Sequence, residues 1–400
     1  MGRILFLAHR IPYPPNKGDK IRSYNILKAL AAEHDVVCGA FVDDPDDLQH
    51  REALSAITTD LHLEPIVPKA RTLLSLRGFA TGDPLSVAYY HHLAFQRFVD
   101  EELKRGVDAV VLFSSAMARF IDFQTLGNVP VWMDFVDLDS DKWRQYAAHK
   151  SGPMGAVYRR EAKRLFDFET AIARHATYSS FVTDQEVALF LAQSGLSPEK
   201  ILAVHNGVDL DHFMPRDNRS ESARIVFTGA MDYQANVDAV TWFVSDILPR
   251  IQSRRSDVEF LIVGSKPTPG VQALASHPGV SVTGFVNDIR DYIASAAVCV
   301  APMRIARGVQ NKVLEAMAMG RPVVATTAGF EGIKAEPGRD LSVADDPEQF
   351  AAEVDAIFAN EERSKALGTA ARRVMESGYR WEEALRPMLD FAAKASNGLF

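Results

Sequence analysis

At 400 residues the chain exceeds what one hydrophobic core normally serves, so two domains are expected. With 47% hydrophobic and 24% charged residues it has the composition of an ordinary soluble globular protein, and a net charge of −8 excludes a general nucleic-acid binder. Cys38 and Cys299 each sit in an apolar run, at neither metal nor CxxC spacing, and read as buried thiols in a reducing compartment.

The apolar run in MGRILFLAHR is too short for a signal-peptide core and predicts a first strand over residues 3–8. No stretch approaches a membrane span, so the expected location is cytoplasmic. The loop HRIPYPPNKGDK, punctuated by proline and Gly18-Asp19, delivers the chain to a predicted helix from Ile21 to Glu33. Lys17 and Arg22 are candidate ligand contacts there. Strand-like runs recur at Val36 to Val42, Leu61 to Val67, Val107 to Phe113, Val129 to Phe135, Ala176 to Phe181 and Ile201 to His205, with helical stretches between them. That alternation predicts a doubly wound parallel α/β sheet.

A turn signal, Asn206-Gly207, and a polar stretch from Arg216 to Ser222 mark a boundary. Beyond it the pattern restarts, with strands predicted at Arg224 to Thr228, Phe260 to Val263, Val280 to Thr283, Val298 to Ala301, Pro322 to Ala325 and Leu341 to Val343. The expected domains are residues 1–206 and 207–377, with a final helical segment over about 378–400.

The densest chemistry lies between Val298 and Thr326, which reads as strand, loop, helix and strand. Its loop places Arg304, Arg307, Gly308 and Lys312 within nine residues and runs into a helix with Glu315 in its first turn. Cations, a glycine and a helix N-terminus suit a diphosphate, and a carboxylate just inside the helix can accept both hydroxyls of a ribose. A Glu so placed is also favoured by the helix dipole alone.

Glu315-Ala316-Met317-Ala318-Met319-Gly320-Arg321-Pro322-Val323-Val324 resembles the donor-site signature of the group 1, or family four, retaining glycosyltransferases of the GT-B fold. The family's earlier Glu would fall at position 307, which is Arg307 here, and that departure resembles the sugar transferases of exopolysaccharide clusters associated with the PEP-CTERM/exosortase system. The string Val204-His205-Asn206-Gly207-Val208-Asp209 is similar to the family's interdomain hinge, and the last helix, around Trp381 to Ala393, to its segment crossing back onto the first domain. The resemblance implies two Rossmann-like domains with a ligand cleft between them. Donor contacts are expected from Gly18, Gly229, Phe285, Arg304, Gly308, Val309 and Glu315, and stabilisation of the leaving diphosphate from the cations Arg304, Arg307 and Lys312. A basic pair usual after the first strand of the second domain is missing from Gly229-Ala230-Met231-Asp232-Tyr233-Gln234-Ala235-Asn236, where Asn236 suits a helix cap.

Four carboxylates crowd Asp134-Phe135-Val136-Asp137-Leu138-Asp139-Ser140-Asp141. Asp139 or Ser140 fits a helix cap, and Asp134 or Asp137, at a strand's carboxyl end, fits a catalytic role orienting a hydroxyl. No metal and no cofactor is expected beyond the nucleotide-sugar substrate. Residues Lys142 to Phe166 interleave cations with aromatics, which suits either an anionic lipid surface or a helix whose aromatics face the core.

The activity so implied is transfer of a sugar, with retention, from a nucleotide-sugar donor to a saccharide or polyprenyl-linked acceptor in exopolysaccharide assembly, with contact to the inner face of a membrane left open. Two other readings share the site: a nucleotide-sugar epimerase and a catalytically silent nucleotide-sugar-binding protein.

Overall fold

The computed structural model describes residues 1–148, 150–216, 223–305 and 308–400. The chain divides into two compact units, Met1–His205 with Leu385–Phe400, and Asn206–Ala384.

The first unit holds a parallel sheet of β1 (Arg3–Ala8), β2 (Asp35–Val42), β3 (Asp60–Pro65), β4 (Ala109–Phe113), β5 (Val131–Val136), β6 (Tyr178–Phe181) and β7 (Ile201–Ala203), in the order β3-β2-β1-β4-β5-β6-β7. The helices that matter below are α1 (Gly18–Ala31), α2 (Asp139–Ala148), α3 (Gly152–His175) and α4 (Asp184–Ser194). The second unit holds β8 (Ala223–Thr228), β9 (Val258–Val263), β10 (Val280–Gly284), β11 (Val298–Ala301), β12 (Val323–Ala325) and β13 (Ser342–Val343), in the order β10-β9-β8-β11-β12-β13, with α5 (Gln234–Trp242) and α6 (Asn311–Ala318) among its helices. Every strand-like run named from the sequence is a strand. The reason is visible in β4, whose five residues AVVLF are all buried, because helices cover both faces of a parallel sheet.

Two helix boundaries differ from expectation. The first helix begins at Gly18 rather than Ile21: Lys17 is extended, and Asp19 places a favourable negative charge in the first turn. The predicted terminal helix is two, α7 (Trp381–Ala384) and α8 (Arg386–Ser396). Pro387, at the second position of α8, lacks the N–H an uninterrupted helix would need and is at home in a first turn. The break coincides with the divide between units, and α8 belongs to the first, where Phe391 packs on Trp132 with ring centroids 5.4 Å apart.

A buried ion pair and its hydrogen bonds cross the core of the first unit. Arg22 of α1 and Asp134 of β5 have side chains 0% exposed and meet through Nε–Oδ2 at 2.8 Å and Nη2–Oδ1 at 3.1 Å. Ser180 of β6 donates to Asp134 Oδ1 at 3.0 Å and accepts from the Trp132 indole at 2.9 Å. A bidentate pair with its remaining lone pairs engaged is the form in which buried charge is tolerated. Asp134→Ala, which strands the guanidinium, is expected to lower stability by about 3–5 kcal/mol, and the apolar double Arg22→Met/Asp134→Leu to recover most of that loss. Urea unfolding of the three proteins checks this, and a loss under about 1 kcal/mol in the single variant contradicts it.

Candidate functional site

Open α/β sheets bind ligands beyond the carboxyl ends of their strands, where strand order reverses. In the second unit β8 lies between β9 and β11, so the reversal falls between β8 and β11. Backbones pack closely there: a Cβ on Gly264, which follows β9, would stand 1.7 Å from the Gly229 carbonyl oxygen, so only glycine fits.

Across the reversal, one side chain ties the two loops together. Lys312, second residue of α6, donates to Asn236 Oδ1 at 2.5 Å and places its ammonium 4.4 Å from the centre of the Phe227 ring. Asn236 in turn donates to the Ala230 carbonyl at 2.9 Å. It is the third residue of α5, which Tyr233 opens without a side-chain cap, so the expected capping role gives way to a bridge. No carboxylate pairs with Lys312 among the described residues. Burial pushes its pKa down to about 7, against the opposing pull of Glu315. A cation in the first turn also opposes the helix dipole, and no side chain caps the start of α6.

Glu315 is the fifth residue of α6 and therefore lies in the second turn, not the first. The dipole does not account for it. Burial pushes its carboxyl up to about 7, with Lys312 acting the other way, and among the described residues neither oxygen has a hydrogen-bond or ion-pair partner. A lysine without a counter-ion and a carboxylate without a donor thus share one helical face at the sheet's reversal.

Other candidates are placed less favourably. Arg304 is half exposed, pairs with Asp238 at 3.0 Å through Nε and lies over Trp242, so its charge is already compensated. Arg307 lies outside the described residues. Gly308, with φ of 65°, and Val309 are buried and lead into α6. Phe285 follows the edge strand β10 and is 74% exposed.

In the first unit the order reverses between β1 and β4. His9 stacks on Phe113 there with centroids 5.6 Å apart and lies 3.6 Å from Asp19. Although burial works the other way, the hydrogen bond from His9 and the charges of His9 and Arg10 hold Asp19 well below the usual carboxylate range. Gly18 opens α1 beside this group. Asp134 is enclosed with Arg22 and Ser180, its carboxylate fully engaged, one strand away from the reversal. Asp137 is half-buried and accepts from Lys142 at 2.7 Å. It follows Val136, whose φ of 70° is strained for a β-branched residue, at an irregularity in β5. The N–H groups of Leu138 and Ser140 are taken by Glu186 and Glu169, two buried acids that the sequence reading missed. Burial raises both pKa values, with Asp137 adding to the shift of Glu186 and Asp139 to that of Glu169.

Residues 222–360, which include both loops and α6, match the family model described as "Glycosyl transferases group 1". The chain is 26% identical over 240 residues to a D-inositol 3-phosphate glycosyltransferase of Streptomyces bingchenggensis, covering 54% of this chain and 52% of that one. It therefore spans about half the length of the curated relatives it matches. Among solved structures it is similar to sucrose-phosphate synthase from Thermosynechococcus elongatus, with a TM-score of 0.74 and 18% identity over 100% of both chains. It is also similar to Anabaena Alr3699/HepE in complex with UDP-glucose, with a TM-score of 0.69 and 14% identity over 98% of this chain and 100% of that one. These likenesses establish the fold as two parallel Rossmann-like domains of the GT-B type. Among the described residues no helix is long and apolar enough to cross a membrane. Among the same residues no group of three His, Cys, Asp or Glu is placed to hold a metal ion.

Glu186 yields a pH test. Burial first, and Asp137 second, push its pKa from 4.5 up to about 8, so its contribution to stability is complete below 4.5 and lost as pH rises through 8. Against Glu186→Gln, the wild type is expected to lose stability steadily between those limits and to run parallel outside them. Thermal unfolding across that range checks it, and parallel curves throughout would show that the group does not titrate as described.

Proposed function

We propose that the protein is a glycosyltransferase that takes a sugar from a nucleotide-diphosphate donor held by the second unit. The observation that carries this is the Lys312–Glu315 pair: a desolvated cation without counter-ion and a carboxylate with both oxygens free, one turn apart where the sheet order reverses. Glu315 accepts the two ribose hydroxyls. Lys312 meets the diphosphate, and its low pKa lets it take up a proton as the phosphate charge arrives. The missing cation after Gly229 is thereby supplied from the other loop, since the Lys312 ammonium rests on Asn236, at the start of α5. Arg304, gripped by Asp238, forms the rim, and Phe285 stands two strands from β8, about 10 Å by strand spacing, to meet the base.

The group 1 family match over the donor half supports this reading. So do the solved neighbour in complex with UDP-glucose and the relatives named as inositol phosphate glycosyltransferases. The finer reading rests on the motif resemblance: transfer with retention to a saccharide or polyprenyl-linked acceptor in PEP-CTERM-type exopolysaccharide assembly, in the cytoplasm at the inner face of a membrane. Asp137, held by Lys142 beside the strained Val136, is the carboxylate we assign to orienting the acceptor hydroxyl. Asp134 remains the counter-ion of Arg22.

As the leaving diphosphate gains charge, a fixed cation in a dry site stabilises the transition state more than the ground state. Lys312→Met is therefore expected to lower kcat by about 10²- to 10³-fold with folding intact by circular dichroism. Arg304→Gln, losing a cation already paired, falls well short of that. Glu315→Gln is expected to weaken nucleotide binding by about 1–3 kcal/mol in calorimetry. Release of nucleoside diphosphate only as acceptor is consumed identifies a transferase. Near-normal kcat in Lys312→Met together with unchanged affinity in Glu315→Gln removes the donor site from α6.

A further inference from the structure

Between α2, α3 and the end of α4, the helical layer of the first unit forms an open-sided cavity of about 450 Å³, lined by Arg144, Ala147, Arg159, Ala162, Lys163 and Phe166 among others, with the three cations exposed at its mouth. That volume lies in the usual range of small-molecule sites, about 300–1,000 Å³. Arg159 and Lys163 stand one turn apart on the same face of α3, a spacing at which like charges destabilise a helix. Neither has an ion-pair partner among the described residues. Lys142 and Arg160, which do not line the cavity, are engaged: Lys142 by Asp137 and Asp139, Arg160 by the Asp83 carbonyl at 3.1 Å and the Phe79 ring.

The charge and the walls specify an occupant. Arg144 faces the cavity while held by Asp141, whose side chain is buried, through Nε at 2.7 Å. Three cations against one carboxylate leave two net positive charges on the lining. A phosphomonoester carries about −1.5 to −2 near neutral pH and takes paired N–H donors from arginine. A bare phosphate would leave the apolar part of the remaining wall, Ala147, Ala148, Ala162 and the Phe166 ring beside Ser140 and Gln193, facing water. We propose that this cavity binds a lipid phosphate, with its phosphomonoester between Arg159, Lys163 and Arg144 and its hydrocarbon chain along Ala147, Ala162 and Phe166. The inference is independent of the donor site on the second unit.

The test is titration calorimetry of the full chain with dihexanoyl phosphatidic acid below its micellar concentration. Dihexanoyl phosphatidylcholine and inorganic phosphate serve as comparison ligands. Phosphatidic acid is expected to bind, and each comparison ligand to bind at least about tenfold more weakly. Arg159→Gln/Lys163→Gln, which removes the charge, and Ala162→Phe, which fills the space, should each weaken it by at least about tenfold. Lys150→Gln/Arg164→Gln, on the same stretch but outside the cavity, should leave it unchanged, with all variants checked for folding by circular dichroism. Any of three results overturns the proposal: no binding of phosphatidic acid, inorganic phosphate binding as tightly, or the outer pair of substitutions weakening binding as much as the inner.

Discussion

An ammonium group taken out of water must be compensated, and at the carboxyl edge of the second sheet the fold offers Lys312 a neutral amide, a thioether sulfur and an aromatic face, with no carboxylate paired to it among the described residues. Much of the local architecture follows from that arrangement. Asn236 is held in the first turn of α5 by its bond to the Ala230 carbonyl, which fixes the loop after β8. The loop is in turn pressed against Gly264 so closely that neither backbone tolerates a side chain at that glycine. Under the proposed reading, a bound diphosphate supplies the counter-charge that this configuration lacks.

The first unit handles charge in the opposite way. In the core, Arg22 and Asp134 close on each other and Ser180 and Trp132 complete the network. Around the start of α2, Asp137 and Asp139 are engaged by Lys142, while the buried acids Glu186 and Glu169 each accept one backbone N–H and Glu169 Oε2 has no hydrogen-bond partner among the described residues. This contrast separates structural charges from ligand-binding ones. A buried bidentate ion pair with a third hydrogen bond stabilises one conformation, whereas half-buried charges of both signs, one turn apart and without an ion-pair partner among the described residues, are the basis on which we propose the donor site.

The strands were legible because parallel strands, buried on both faces, leave continuous apolar runs such as AVVLF and VCVA in the sequence. The chemistry of the α6 loop was legible because a single short segment carries it. Contacts made across long sequence separations were not. Arg22 and Asp134 lie 112 residues apart, and both were read as facing ligand, since neither local pattern reveals that one neutralises the other. Asn236 looked like a cap because it stands near a helix start, yet its partners are a carbonyl six residues back and a lysine 76 residues on. Glu315 was read as a first-turn residue; the extended Gln310 sets the helix start at Asn311, which puts Glu315 in the second turn.

The account rests on Lys312 being only partly protonated near neutral pH until a diphosphate binds, and its titration can be observed directly. With lysine labelled with carbon-13 at Cε, the resonance lost in Lys312→Met reports the protonation of this one side chain. The structure predicts a midpoint near 7 in the ligand-free protein and an upward shift on saturation with a nucleoside diphosphate. A midpoint in the ordinary lysine range near 10.5 without ligand, or one that does not move when the nucleotide binds, would contradict it.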